Sequence, residues 1–287
     1  VKHKTQPCSI TGIFTNTMNH LFEILNVAET AARTGGEILR RYFQNGVTIR
    51  DKSSGGGKSY DLVSDADEES ETAVAQTIRD AFLTHELLGE ESLQAGDIEA
   101  EHLWIIDPLD GTNNFAHGIE HFAVSIGYYE RGEAMVGVIY NPIRDDWFTT
   151  VRGEGAFRAG RRVRVSDAES LGRSMIGCGF YYDRGAMMRS TLAAIEDCFS
   201  HNVHGIRRFG TASLDLCMVG CGQLEGFFEY NLSAWDFAAG ALFVREAGGR
   251  ISDARGGELP IGSSSVVASN GRLHEALVEI TTRHYPK

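Results

Sequence analysis

The segment Trp104-Ile105-Ile106-Asp107-Pro108-Leu109-Asp110-Gly111-Thr112-Asn113-Asn114-Phe115 governs how the rest of the chain is read. An apolar strand ends abruptly in two carboxylates three residues apart, and Pro108 breaks regular structure between them. Gly111 then permits a tight turn, and Thr112 can cap a following helix. Such a turn can bring both carboxylates and the Leu109 carbonyl to one point. Hard oxygen ligands at that spacing suit Mg²⁺. An Asp-rich β-turn would account for Asp107 and Asp110 alone, but not for the acids that accompany them.

Those acids are Asp67 in Asp61-Leu62-Val63-Ser64-Asp65-Ala66-Asp67, Glu90 in Gly89-Glu90-Glu91-Ser92, and Asp236 in Trp235-Asp236-Phe237-Ala238-Ala239-Gly240. Each sits at the end of a strand-like run or the start of a helix, where open α/β sheets place ligands. Taken singly, Asp67 and Asp236 read as residues at helix starts and Glu90 as a solvated loop charge. Five converging carboxylates would repel one another and any phosphate. Two or three Mg²⁺ ions reverse the sign of that field and, about 3.5–4 Å apart, clamp attacking and leaving oxygens.

Outward from this segment the pattern alternates. Leu21, Ile24, Leu25, Ala28, Ala31, Ala32, Ile38, Leu39 and Phe43 recur at helical spacing up to Gly46, and a second helix is expected from Asp65 to Phe82. The middle reads as sheet: Phe122 to Glu130 and Glu133 to Tyr140 flank the turn Arg131-Gly132. A further strand pair turns at Ala159-Gly160. The second half mixes strands near Ser174, Leu224 and Val266 with helices from Ala186, Ala212, Trp235 and Leu273. The expected fold class is mixed α/β (α+β), with sheets covered by helices. The expected units are a tail over 1–17, an N-terminal metal-binding domain over 18–155, and a C-terminal domain over 156–287 that completes the site.

Composition narrows the function. The 287 residues are 42% hydrophobic and 23% charged, as in a packed globular protein. No apolar run reaches the ~18 residues of a membrane span, and the start lacks a signal-peptide core. Five cysteines without a Cys-x-x-Cys pair suggest buried thiols in a reducing cytoplasm. A net charge of −12 argues against a dedicated nucleic-acid binder.

Together, the four acidic segments resemble the inositol monophosphatase family, within the wider group of lithium-sensitive, magnesium-dependent phosphatases. The likeness runs in the same order from Met18 onward. It implies a layered α-β-α-β-α sandwich of the sugar phosphatase type and, commonly, a homodimer. It also implies that Glu90, Asp107 and the Leu109 carbonyl bind one Mg²⁺, and that Asp107, Asp110 and Asp236 bind a second. A third metal would lie near Glu90 and Asp67. Asp67 and Thr112 would hold and polarise the attacking water, with Glu90 among the catalytic groups. The N–H groups of Gly111 and Thr112 would take phosphate oxygens. Gly210, Thr211, Ala212 and Glu229 would read substrate hydroxyls, together with Asp236. Lys52 sits where the family places a lysine near the third metal, although the stretch Gly55-Gly56-Gly57-Lys58 after it is longer than the usual loop.

The substrate implied is a small phosphate monoester, inositol monophosphate first. Nucleoside 3′,5′-bisphosphate, fructose bisphosphate and histidinol phosphate are the alternatives. A different class, a regulatory RNA- or transcription-associated protein, has local support only in Arg158, Arg161, Arg162 and Arg164. Those charges also suit a solvated sheet edge.

Overall fold

The computed structural model describes residues 10–45, 49–51, 62–181 and 184–286. Helix α1 (Ile10–Asn45) begins inside the stretch expected to be a tail, and residues 1–9 lie outside the described residues. Strands β1 (Ile49–Asp51) and β2 (Leu62–Ser64) form a small antiparallel pair leading into α2 (Asp65–Ala81). Asp65, Asp67 and Glu68 occupy the first turn of α2, where negative charge complements the helix dipole.

A seven-stranded sheet follows, in the order β3 (Glu86–Gly89), β4 (His102–Asp110), β5 (Ala123–Glu130), β6 (Glu133–Asn141), β7 (Asp146–Val151), β8 (Gly155–Arg158), β9 (Arg161–Val163). Only β3 and β4 pair in parallel; the other neighbours are antiparallel. The β5–β6 turn has positive φ at Arg131 (50°) and Gly132 (79°), the geometry of a two-residue hairpin turn. The expected domain boundary at 155/156 falls within β8.

The second sheet has the order β11 (Gly205–Arg207), β10 (Met175–Cys178), β12 (Gly226–Leu232), β14 (Ser264–Ser269), β13 (Arg250–Ser252). Its helices are α4 (Ala186–Ser200), α5 (Ala212–Gly220), α6 (Ala234–Glu246) and α7 (His274–Arg283).

Side-chain alternation along β4 sets the layers. Trp104 and Ile106 pack with Leu21, Ile24 and Val74 of α1 and α2, whereas Leu103 and Ile105 pack with Ala238 and Leu242 of α6. Both faces of the strand are covered, so the sequence there is a continuous apolar run. Helices α5 and α6 then present Leu216, Val219 and Val244 to Phe227, Val266 and Ala268 of the second sheet. Ala194, Leu277 and Ile280 of α4 and α7 close its far side. The result is the expected α-β-α-β-α sandwich.

Being central, α6 is buried almost all round, Phe237 to Val244 without a break. It also approaches the first sheet closely. A Cβ on Gly127 would lie 3.1 Å from Ala238 Cβ, and one on Gly137 would lie 2.9 Å from the Ala239 carbonyl oxygen. Among the described residues no helix is long and apolar enough to cross a membrane.

Candidate metal and phosphate site

The end of β4 departs from the expected break at Pro108. The strand runs on to Asp110 with a register shift between Asp107 and Asp110, so the proline sits in an irregularity of the ladder. Helix α3 (Thr112–Ala116) follows directly. Its N-cap is Gly111, at φ 96°, and Thr112 is the first helical residue rather than the cap. The Thr112 hydroxyl instead donates to the Leu109 carbonyl at 3.2 Å.

Asp107, Asp110 and Asp236 each present one carboxylate oxygen, and these atoms lie within 4.8 Å of one another. Asp107 is 1% exposed; its Oδ1 accepts from the Leu109 N–H at 3.0 Å, while its Oδ2 has no hydrogen-bond partner. Asp110 accepts from the backbone N–H groups of Ala212 (3.3 Å) and Ser213 (2.6 Å), at the start of α5. Asp236 Oδ2 accepts from the Ser233 N–H at 2.6 Å, at the start of α6. The middle-layer helices thus aim their N-terminal turns at the end of β4.

Burial, then the neighbouring carboxylates of Glu90, Asp110 and Asp236, push Asp107 well above the usual carboxylate range. Asp236 is raised well above that range by burial and then by Asp110 and Glu90. Asp110 is raised to about 6 by burial, against the hydrogen bonds from Ser213 and Ala212. Buried anions this close are unfavourable unless a cation joins them. An all-oxygen donor set with a buried, unpaired carboxylate oxygen fits Mg²⁺.

One cavity joins most of the residues expected from the sequence. Glu90, Asp107, Leu109, Asp110, Gly111 and Thr112 line it from the first sheet's side. Gly210, Thr211, Ala212, Glu229 and Asp236 line it from the other. Asp67 is buried in the first turn of α2 and is not among the lining residues. Lys52 lies outside the described residues, as does Cys8. Cys178, Cys198 and Cys217 are buried free thiols, and Cys221 is partly buried.

Four residues that the sequence reading passed over shape the site. Glu71, buried on the apolar face of α2, accepts from the N–H groups of Glu91 (3.0 Å) and Ser92 (2.7 Å) and so fixes the loop that carries Glu90. Asn114 Nδ2 lies within donating distance of three oxygens: His121 O (2.7 Å), Phe209 O (2.8 Å) and Thr211 Oγ1 (3.2 Å). It thereby ties the β4 turn to the Gly210 segment. Asp215, 1% exposed on α5, and Arg208 also line the cavity. The available signals were acids inside otherwise small or apolar buried helix stripes, at Glu71 and Asp215.

Glu229 on β12 is 8% exposed and raised to about 8 by burial, with Arg208 opposing. A Cβ on Gly179 would collide with its carboxylate, so the glycine leaves that side of the cavity open.

Five alternating layers with a carboxylate cation site at the joint between sheets and central helices define a class, the layered α/β proteins with an acidic divalent-metal centre. Residues 20–285 match the model of the inositol monophosphatase family, and the chain belongs to that family. It is 40% identical over 261 residues to the putative Nus factor SuhB of Neisseria meningitidis serogroup B, covering 91% of this chain and 98% of that protein. It is 39% identical over 263 residues to the inositol-1-monophosphatase of Rhizobium meliloti, covering 92% and 97%. The structure matches the crystal structure of extragenic suppressor protein suhB from Bartonella henselae with a TM-score of 0.82 at 38% identity, covering 91% of this chain and 99% of that one.

Proposed function

We propose that the chain is a magnesium-dependent hydrolase of small phosphate monoesters, with inositol monophosphate as its preferred substrate. The observation that carries this reading is the convergence of Asp107, Asp110 and Asp236 within 4.8 Å in the cavity that also holds Glu90 and Glu229. Glu90, Asp107 and the Leu109 carbonyl would hold one Mg²⁺, Asp107, Asp110 and Asp236 a second, and Glu90 with Asp67 a third. Bound there, the ions supply charge neutralisation for the phosphate and lower the pKa of water. Thr112 and Asp67 orient the attacking water. The N–H groups of Gly111 and Thr112, ahead of the first α3 bond (Phe115 N to Gly111 O, 3.0 Å), take phosphate oxygens. Gly210, Thr211, Ala212 and Glu229 hold the alcohol. A cytoplasmic homodimer inhibited by Li⁺ completes the reading.

A phosphate-release panel with and without Mg²⁺ tests it: inositol 1-phosphate, adenosine 3′,5′-bisphosphate, fructose 1,6-bisphosphate and histidinol phosphate. Preference for inositol 1-phosphate is expected, and preference for a bisphosphate or for histidinol phosphate contradicts the substrate assignment.

A second reading, a transcription-associated role, is favoured by the relatives named Nus factor SuhB. Exposed Arg161, Arg162 and Arg164 lie on or just after the terminal strand β9. However, Arg158 pairs with Asp146 at 2.6 Å and Arg162 stacks over Phe157, as expected of a protected sheet edge. An RNA shift assay across salt concentrations separates the two: a shift lost with rising salt supports the second reading, and no shift removes RNA from it.

A further inference from the structure

Strands β3 and β4 pair in parallel with Gly89 opposite Ile106, so the residues just past this pair, Glu90 and Asp107, lie at the same level on neighbouring chains. Helix α2 holds both chains through two adjacent buried side chains. The Ser70 hydroxyl donates to the Pro108 carbonyl at 3.2 Å, between Asp107 and Leu109. The Glu71 carboxylate accepts from the Glu91 N–H (3.0 Å), the Ser92 N–H (2.7 Å) and the Ser92 hydroxyl (2.5 Å), just past Glu90. The turn around that carboxylate is closed by the Gly89 N–H, which donates to the Leu93 carbonyl at 3.2 Å. A Cβ on Gly89 would collide with Glu71 Oε1, so the carboxylate fills the space that a side chain there would take. On the other side of α2, a Cβ on Gly35 of α1 would lie 2.8 Å from both Ser70 Oγ and Val74 Cγ2. Helix α1 therefore packs tightly behind Ser70 and keeps α2 from backing away.

We propose that Ser70 and Glu71 are positioning residues that fix the gap between the Glu90 and Asp107 chains and thereby make the cation site selective for Mg²⁺ over Ca²⁺. This rests on the metal assignment of the proposed function and deepens it. Mg²⁺ takes oxygens at about 2.0–2.1 Å in near-ideal octahedral geometry, whereas Ca²⁺ takes them at about 2.3–2.6 Å in flexible geometry. The larger ion must push the two ligand-bearing chains apart. The bond to Pro108 and the three to Glu91 and Ser92 resist that movement, because a buried donor that loses its acceptor costs more than the bond itself is worth. Neither side chain lines the cavity, so both act through the backbone they hold.

The test is calorimetric binding of Mg²⁺ and of Ca²⁺ to the EDTA-stripped full chain, as wild type, Glu71→Gln, Ser70→Ala and Val74→Ala. Glu71→Gln keeps the shape but turns an amide N–H₂ towards a backbone N–H that had an acceptor. The wild type should bind Mg²⁺ more tightly than Ca²⁺. The ratio of the Ca²⁺ to the Mg²⁺ dissociation constant should fall about tenfold in Glu71→Gln and by a smaller factor in Ser70→Ala. Val74→Ala, which opens a cavity in the core face of the same helix, should lower the melting temperature and leave the ratio unchanged. A wild-type ratio in Glu71→Gln, or an equal fall in Val74→Ala, overturns the proposal, because Glu71 then serves stability alone. So does a wild type that prefers Ca²⁺. If Glu71→Gln does not fold, Ser70→Ala decides. A wild type that binds neither cation overturns the metal assignment itself and the proposal with it, whereas Mg²⁺ binding with an unchanged ratio overturns the proposal alone.

Discussion

Asp110, at the end of β4, accepts a 2.6 Å hydrogen bond from the backbone N–H of Ser213, in the first turn of α5. One carboxylate therefore does two jobs: it caps a central helix that has no side-chain cap of its own, and it faces the cation site. The two jobs differ in their need for charge. Asn can keep an acceptor for one N–H, so Asp110→Asn loses about 0.5–1.5 kcal/mol of hydrogen bonding. Raising the Asp110 pKa from 3.8 to about 6 corresponds to roughly 3 kcal/mol against the buried anion. Relief of that burden is the larger effect. The metal-free Asp110→Asn protein should melt at or above the wild-type temperature at pH 7, while the rise produced by Mg²⁺ is lost. That rise in the wild type is worth about 2.7 kcal/mol at a hundred times the dissociation constant. Thermal melts with and without Mg²⁺ check both halves.

The metal-free protein should lose stability as pH rises from 6.5 to about 8. Glu229 is raised from 4.5 to about 8, so the folded state holds its proton more tightly. Its contribution is full below pH 4.5 and is lost as pH climbs through 8. His85, His121 and His274 are lowered by burial from 6.5 to about 4, so their contribution is present above pH 6.5 and is lost on acidification. The two trends oppose each other between about 4.5 and 6.5. Only the carboxylates act above that window, where Glu229 alone supplies roughly 2 kcal/mol between pH 6.5 and 8. Denaturant midpoints at pH 6.5 and 8 should differ accordingly in EDTA, and Glu229→Gln should flatten the difference.

Gly111→Ala should be among the most damaging single-methyl changes in the chain. Gly111 has φ 96°, a conformation that costs a non-glycine residue about 1–2 kcal/mol. Its Cβ would also meet Thr211 Oγ1 and lie 3.1 Å from the His121 carbonyl oxygen. The strain falls where the β4 turn meets the cavity-lining 210–212 segment, so kcat should drop more than the melting temperature suggests. Gly132→Ala, a positive-φ turn residue with open space around it, is the control for backbone strain alone. Equal kinetic losses in both variants would contradict the expectation.

Assayed above pH 8, where its raised carboxyl is ionised, Glu229→Gln should lower the preference for inositol 1-phosphate over 4-nitrophenyl phosphate by ten- to a hundredfold, the worth of about 1.5–3 kcal/mol for a hydrogen bond to a charged group. Equal loss on both substrates would make Glu229 a structural or metal-linked residue.

The sequence disclosed whatever depends on local chemistry. Asp107 to Phe115 was legible because Pro, Gly and Asp mark a bent chain end regardless of what packs around it. The β5–β6 hairpin was legible from Arg131-Gly132. Strands β3, β11 and β13 were missed because three or four residues carry too little periodicity; β3 has only Leu87 and Leu88 as buried apolar anchors. The strand through Pro108 was missed because its partner, β5, is what holds it. Asn114 and Glu71 act through partners distant in sequence, Thr211 for Asn114 and Ser92 for Glu71. Their roles appear only once the layers are assembled.

On the proposed function, Asp107, Asp110 and Asp236 hold Mg²⁺ and this complex hydrolyses a phosphate monoester. The most direct measurement is the initial rate of inorganic phosphate release from inositol 1-phosphate as Mg²⁺ is titrated into EDTA-stripped protein, for the wild type and for Asp107→Asn, Asp110→Asn and Asp236→Asn. The expected rate is negligible without Mg²⁺ and rises saturably with it in the wild type, and turnover falls by at least about a hundredfold in each variant at saturating Mg²⁺, as when a group that stabilises developing charge is lost. Mg²⁺-independent turnover in the wild type, or near-wild-type rates in any of the three folded variants, would contradict it.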